Sequence, residues 1–316
     1  MNRTASMNRR AIVKGALGGI LGLALPGFAR SAFSQASPQT SPTVVPVSEG
    51  FVMLTGAGGN VLVHTASTGQ VLVDSGAAAF TDQVLADLRA LPGGHATTLF
   101  NTHWHRQQVG GNLAFGRSGV TIIAHEKTRA HLATDYYLQK EDRYEKAQPA
   151  AAQPTVTFFT GDQTLAGNER IEYGHLLEAH TDGDIYVYFR EANVLAAGHA
   201  ISPVKDPVLD WFGGGWLGGR ADAQEKLLKL TDAKTRIVPS DGPVVGRAEL
   251  QAEFDMTRML FDRMLDYVKQ GMSAQDALDA GLMKGLNRTF HDPYKFAYDA
   301  HKGFWAHHNS LSPNVL

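Results

Sequence analysis

Apolar positions along the chain follow two rhythms. Short apolar runs at 61–63, 71–73, 120–124, 185–189 and 194–197 have the length of strands. Phe80, Val84, Leu88 and Leu91 recur at helical spacing instead. Leu250, Phe254, Phe261, Leu265 and Val268 mark a long helix ending near Gly271, and Ser273 followed by Asp276 predicts a capped start for the next one. Strands interspersed with helices predict an α/β fold with a sheet-on-sheet core covered by helices.

The N-terminal 36 residues do not share this pattern. Arg3, Arg9, Arg10 and Lys14 come without an acid, and the apolar stretch GALGGILGLALPGFA follows, too short for a membrane span. Arg9-Arg10 ahead of Ala-Ile-Val-Lys14 resembles a twin-arginine export signal, with small residues suited to cleavage after Ala29 or Ala36. The expected organisation is a signal at 1–36, a flexible tether at 37–48 and one domain at 49–316, with a periplasmic destination. Contact with a membrane is then expected only through the export signal.

Charge and cysteine usage narrow the partners. The leader holds five of the 29 Lys+Arg and none of the 31 Asp+Glu, so the remainder carries 24 − 31, or −7. That balance argues against nonspecific nucleic-acid binding and leaves a small-molecule substrate as the expected partner. With no Cys in the chain, a thiolate ligand is excluded and an oxidising compartment is tolerated without disulfides.

The richest chemistry lies in THWHRQQVGGN, residues 102–112. In an extended segment residues i and i+2 share a side, so His103 and His105 after a strand would aim both imidazoles into one pocket. His180 opens HTDGD, His199 follows NVLAAG, and Asp241 follows RIVPS, each where an apolar run gives way to a loop. Such strand ends are where α/β folds place ligand-binding groups. Neutral imidazoles bind zinc, iron, copper or nickel.

The order of these motifs resembles the metallo-beta-lactamase superfamily, whose hallmark is His-x-His-x-Asp-His, then a later His, a Gly-Asp and a Gly-His. The segment NVLVHTASTGQVLVDSG, residues 60–76, resembles its opening hairpin, and the likeness runs from about Gly50 to about Asp255. The resemblance implies an αββα sandwich and a first metal held by His103, His105 and His180. The second metal's positions read Gln107, Gln108, His199 and Asp241. Carboxamides are weak ligands for a divalent transition metal, and an imidazole cannot bridge two metals as a carboxylate does. One divalent transition metal is expected, Zn2+ first and Fe second, with His199 as a fourth ligand.

Two functional readings follow, with a third beside them. The first is a hydrolase acting through an activated water on an ester, lactone, thioester or lactam, with Asp241 or His199 serving the attacking water. The second is a degenerate site with a structural or ligand-binding metal and no hydrolysis. The third is a mononuclear iron oxidoreductase. Asp74 is either a partner behind a ligand histidine or a turn residue. His125 and His131 are expected on a helix near the surface or beneath the site. His64, His95, His175 and His291 have no partner legible in the sequence, and His307-His308 reads as a solvated helix end. Residues 205–220, KDPVLDWFGGGWLGGR, offer Trp211, Phe212 and Trp216 either as a mobile apolar wall beside the pocket or as anchors for the loop.

Overall fold

The first strand begins inside the segment that the sequence marks as a tether. The computed structural model describes residues 42–66, 68–138 and 143–311, so the expected leader lies outside the described residues. β1 (Thr43–Ser48) pairs antiparallel with β2 (Phe51–Thr55), placing Val45 opposite Met53. The tether expectation for 37–48 therefore fails over Thr43–Ser48. The β-branched Thr43, Val44, Val45 and Val47 suit a strand, and Pro46 is accommodated because β1 is the edge of its sheet.

β3 (Val61–Ala66) and β4 (Gly69–Val73) continue the antiparallel meander. β5 (Ala96–Phe100), β6 (Thr121–His125) and β9 (Val156–Phe158) then add in parallel to complete seven strands. A separate hairpin of β7 (Tyr136–Leu138) and β8 (Arg143–Glu145) projects between β6 and β9 in sequence. The second sheet holds β10 (Gly161–Ala166), β11 (Glu169–His175), β12 (Ile185–Phe189), β13 (Val194–Gly198) and β14 (Arg236–Pro239). All its pairs are antiparallel except β13 with β14.

The sheets meet through Phe51, Leu62 and Phe100 from the first and Ile171, Val187 and Phe189 from the second. α1 (Thr81–Ala90) and α3 (Asn112–Arg117) cover the outer face of the first, where Val84, Leu88 and Phe115 join Leu72 and Leu99. α5 (Leu217–Leu230) and α6 (Arg247–Lys269) cover the second through Leu227 and Leu250. Every position of β12 and β13 is buried, because one face meets the opposite sheet and the other meets helices. The α/β expectation is met as an αββα sandwich.

The remaining helices are α2 (Arg106–Val109), α4 (Glu126–Leu132), α7 (Ala274–Asp279) and α8 (Pro293–Leu311). α6 covers the predicted long helix, and α7 starts as the sequence implies, with Ser273 Oγ accepting from Asp276 N at 3.2 Å and Asp276 Oδ2 accepting from Ser273 N at 3.0 Å. α6, α7 and α8 share an apolar cluster of their own that includes Leu260, Met264, Phe296 and Phe304. His103 follows β5, His180 precedes β12, His199 follows β13 and Asp241 follows β14, so loops of both sheets deliver side chains to one edge of the sandwich.

Candidate metal centre

Four imidazoles gather at that edge. Ring centroids of His103 lie 4.9 Å from His105, 4.9 Å from His180 and 5.0 Å from His199, and His180 lies 4.7 Å from His199. Ligand nitrogens of His103, His180 and His199 fall within 4.8 Å of one another. His105 joins through His180, its Nδ1 being 3.1 Å from His180 Nε2. The expected fourth ligand, His199, thus groups with His103 and His180, and His105 meets that trio through His180.

Each ring has a hydrogen-bond partner at its outer nitrogen. Asp210 Oδ2 accepts from His105 Nε2 at 3.0 Å, and the Val208 carbonyl accepts from His180 Nδ1 at 2.9 Å. Asp241 Oδ2 accepts from His199 Nε2 at 3.0 Å. Thr102 Oγ1 donates to Asp74 Oδ2 at 2.7 Å, so it accepts from His103 Nδ1 at 3.0 Å. When the four rings are neutral, as metal ligands must be, one nitrogen of each carries a proton and four lone pairs point inward. His105 Nδ1 against His180 Nε2, and His199 Nδ1 against His103 Nε2 at 3.3 Å, are contacts between two acceptors.

Such contacts repel unless a proton or a metal cation lies between the two nitrogens. The spacings of 3.1 and 3.3 Å resemble the edge of a tetrahedron with metal–nitrogen bonds of about 2.0–2.1 Å, roughly 3.3–3.4 Å. The residues present therefore fit a divalent transition metal. Burial, reinforced by the neighbouring imidazoles, holds His103 and His180 well below the usual histidine range and keeps both neutral. Burial lowers His199 as well, with Asp241 opposing the shift.

The supports explain why these loops fold as they do. Asp184 accepts from the backbone N of His180, from Thr181 N at 2.8 Å and from Thr181 Oγ1 at 2.9 Å, folding the turn that presents His180. Burial drives its carboxyl up to about 7, against those three hydrogen bonds. Asp74 has φ of 63° and accepts from Thr102 N at 2.8 Å, and burial pushes it to about 7. It acts through Thr102, one bond removed from His103. A register shift in β13 ahead of Gly198, whose φ is 58°, turns the chain out to His199. Arg220, fully buried on α5, donates to the His199 carbonyl at 2.6 Å and to Glu253 Oε1 at 2.6 Å, fixing that turn from behind.

Asp241 sits elsewhere than the sequence reading placed it. Its Oδ2 meets His199 and its Oδ1 accepts from Lys205 Nζ at 2.7 Å, so both oxygens are engaged behind the imidazole rather than facing the four lone pairs. Burial would raise its carboxyl, and the hydrogen bonds from His199 and Lys205 outweigh that and lower it. Gln107 is exposed. Gln108 is buried, with neither amide atom hydrogen-bonded among the described residues.

Several partners escaped the sequence. Asp210 lay inside the aromatic segment and was masked by its glycines and rings. Those glycines serve close packing: a Cβ on Gly215 would overlap the His180 carbonyl. Trp216 anchors the segment by stacking on His307 at 4.4 Å, whereas Trp211 and Phe212 line a cleft. His307 is buried and lies near the Gly214 carbonyl and Glu178, not on the solvated end that was expected. His131 stacks on Trp104 at 4.3 Å and meets Asp182 Oδ1 at 3.1 Å, bridging the two ligand loops beneath the site. His64 stacks on Phe51, and His125 stacks on His175.

Comparison with known proteins agrees with this architecture. Residues 54–241 match the metallo-beta-lactamase superfamily, and the chain belongs to it. A metallo-beta-lactamase from Pontibacter korlensis superposes with a TM-score of 0.58 at 21% identity, covering 69% of this chain and 99% of that one. The inverting sec-alkylsulfatase Pisa1 from a Pseudomonas species gives 0.62 at 14% identity over 85% of this chain, which spans 50% of that chain's length. The DIM-1 metallo-beta-lactamase gives 0.56 at 17% identity, covering 69% and 98%. No curated protein matches.

Proposed function

We propose that the protein is a metal-dependent hydrolase that holds one divalent transition metal ion, Zn2+ in the first instance, through His103, His180 and His199 with His105 at its open side. The observation that carries the metal is the convergence of His103, His180 and His199, a trio that leaves a fourth position on the side of His105, with a hydrogen-bond partner at the outer nitrogen of each ring. When bound, such an ion supplies Lewis acidity and lowers the pKa of a coordinated water. Asp210 and Asp241 hold the protons on His105 Nε2 and His199 Nε2, which keeps both rings oriented and makes them more basic donors. The superfamily's hydrolases support the reaction type, and lactamases and an alkylsulfatase stand among the structural neighbours. The substrate is a small molecule, and the acidic mature chain is unsuited to nucleic acid. The twin-arginine-like leader supports export to the periplasm, with membrane contact limited to that leader.

The fourth imidazole favours a second reading. Four histidines fill a tetrahedral zinc, whereas a six-coordinate iron retains two positions, so oxidative chemistry at a mononuclear iron competes with hydrolysis. Elemental analysis of the purified protein, followed by an ester, lactone, thioester and lactam screen, decides between them. One zinc per chain with turnover of any of these supports the hydrolase. One iron with no hydrolysis of any of them replaces it, and no bound metal overturns both.

A further inference from the structure

A cleft of about 310 Å³ opens beside His105. Its walls come from four parts of the chain: Tyr136 and Tyr137 of the β7–β8 hairpin, Val208, Trp211 and Phe212 of the loop before α5, Trp104 between two of the histidines, and Lys295 and Asp299 of α8. Phe212 is 64% exposed, Val208 42% and Tyr137 38%. Apolar and aromatic surface left open at one mouth marks a binding site rather than ordinary surface.

The cations lining this cleft are already matched. Arg106 is ion-paired with Glu145 and Lys295 with the buried Asp299, and the Asp210 carboxylate adds a negative charge that accepts from His105. An anionic substrate group would have to separate one of those pairs to gain a partner, which a neutral group need not do. Rings and branched alkyl groups, by contrast, meet the aromatic side chains of Tyr136, Tyr137, Trp211 and Phe212.

We infer that the cleft takes the uncharged aromatic or bulky alkyl portion of a neutral ester, lactone or thioester, and discriminates against phosphate and sulfate esters. The choice of reaction rests on the proposed hydrolase, while the binding preference rests on the cleft alone. Rings from two separate elements set that preference: Tyr137 of the β7–β8 hairpin, and Trp211 and Phe212 of the loop before α5. The volume suits one or two fused rings, near the lower limit of small-molecule pockets.

The experiment separates the two layers. Tryptophan fluorescence and calorimetric titration of the full-length protein, as purified and after chelation, would use 2-acetylnaphthalene as a neutral, unreactive probe and 2-naphthoate and 2-naphthyl sulfate as anionic ones. In the chelated protein, where no metal recruits an anion, the neutral ketone is expected to bind at least about tenfold tighter than either anion. Phe212→Ala and Trp211→Ala are each expected to weaken the ketone by about tenfold, the effect of removing one well-contacted ring. Anions binding as tightly as the ketone, no measurable ketone binding, or ketone binding indifferent to both substitutions would each overturn the inference. Ketone binding that is retained beside an absence of any ester turnover would instead remove the hydrolase and leave the cleft's preference standing.

Discussion

Two histidine clusters lie at strand ends in this molecule, and they differ in where their nitrogens point. His125, at the end of β6, stacks on His175, at the end of β11, with centroids 3.8 Å apart and planes 10° from parallel. Their nitrogens engage the main chain: His125 Nε2 donates to the Phe159 carbonyl at 2.9 Å, His125 Nδ1 accepts from Lys127 N at 3.2 Å, and His175 Nε2 donates to the Asp182 carbonyl at 2.9 Å. The stack ties the two sheets together and presents faces, not lone pairs. In the other cluster the rings cross at 57–89°, and the outer nitrogens are tied down so that the inner ones converge. Proximity of histidines is common to both; orientation makes only one of them a ligand set.

The sharpest way to break this contrast is to delete rings from each cluster. His103→Ala or His180→Ala is expected to abolish stoichiometric metal binding, while His175→Ala and His131→Ala keep it, as measured by elemental analysis after gel filtration. Equal retention in all four would remove the ligand assignment.

A second test asks whether the site is single because of its glutamines. Replacing Gln107 by Asp and Gln108 by His together restores the donor types that the resemblance places there, and metal content should rise from one towards two per chain. Content staying at one would show that His199 and Asp241, not the glutamines, bar the second ion.

Smaller effects are expected behind the ligands. Asp241→Asn or Asp210→Asn keeps the hydrogen-bonded shape but weakens the grip on the proton of His199 or His105, lowering metal affinity or activity by about 10–100-fold. Competition with a chromogenic chelator measures the affinity. An unchanged value with turnover falling by about 10²-fold or more would return Asp241 to the role of general base.

The smallest expected effect belongs to the stacked pair. Burial lowers His175 to about 4 and lowers His125 too, the latter despite its bond to Phe159. A histidine kept neutral in the fold takes its proton first in the unfolded chain, so stability is complete above about pH 6.5 and declines as pH falls towards about 4. In chelated protein, melting curves between about pH 7 and about pH 4.5 should lose more Tm in wild type than in His175→Gln, which keeps a donor for Asp182 but does not titrate. Parallel losses would assign the acid sensitivity to other groups.

Much of this was legible in the chain. The apolar runs mark β3, β4, β6, β12 and β13 because strands buried on both faces are continuously apolar, and the spacing from Leu250 to Val268 marks α6 because one face of that helix is buried. His103, His180 and His199 announce themselves as polar residues at the ends of such runs. β1 was hidden because the prolines and polar residues of SPQTSPTVVP, residues 37–46, read as a tether, and only pairing with β2 overrides that local signal. The sequence by itself determined which residue types are available: four imidazoles, no thiolate, and glutamines in place of two strong donors. Tertiary structure alone decided that Asp210 clasps His105 across 105 residues, that Asp241 backs His199 instead of facing the site, and that His125 and His175 stack. The physical reason is that a side chain's identity is written locally, whereas the protonation of each imidazole and the direction of its lone pair are set by hydrogen bonds from strands and loops distant in sequence.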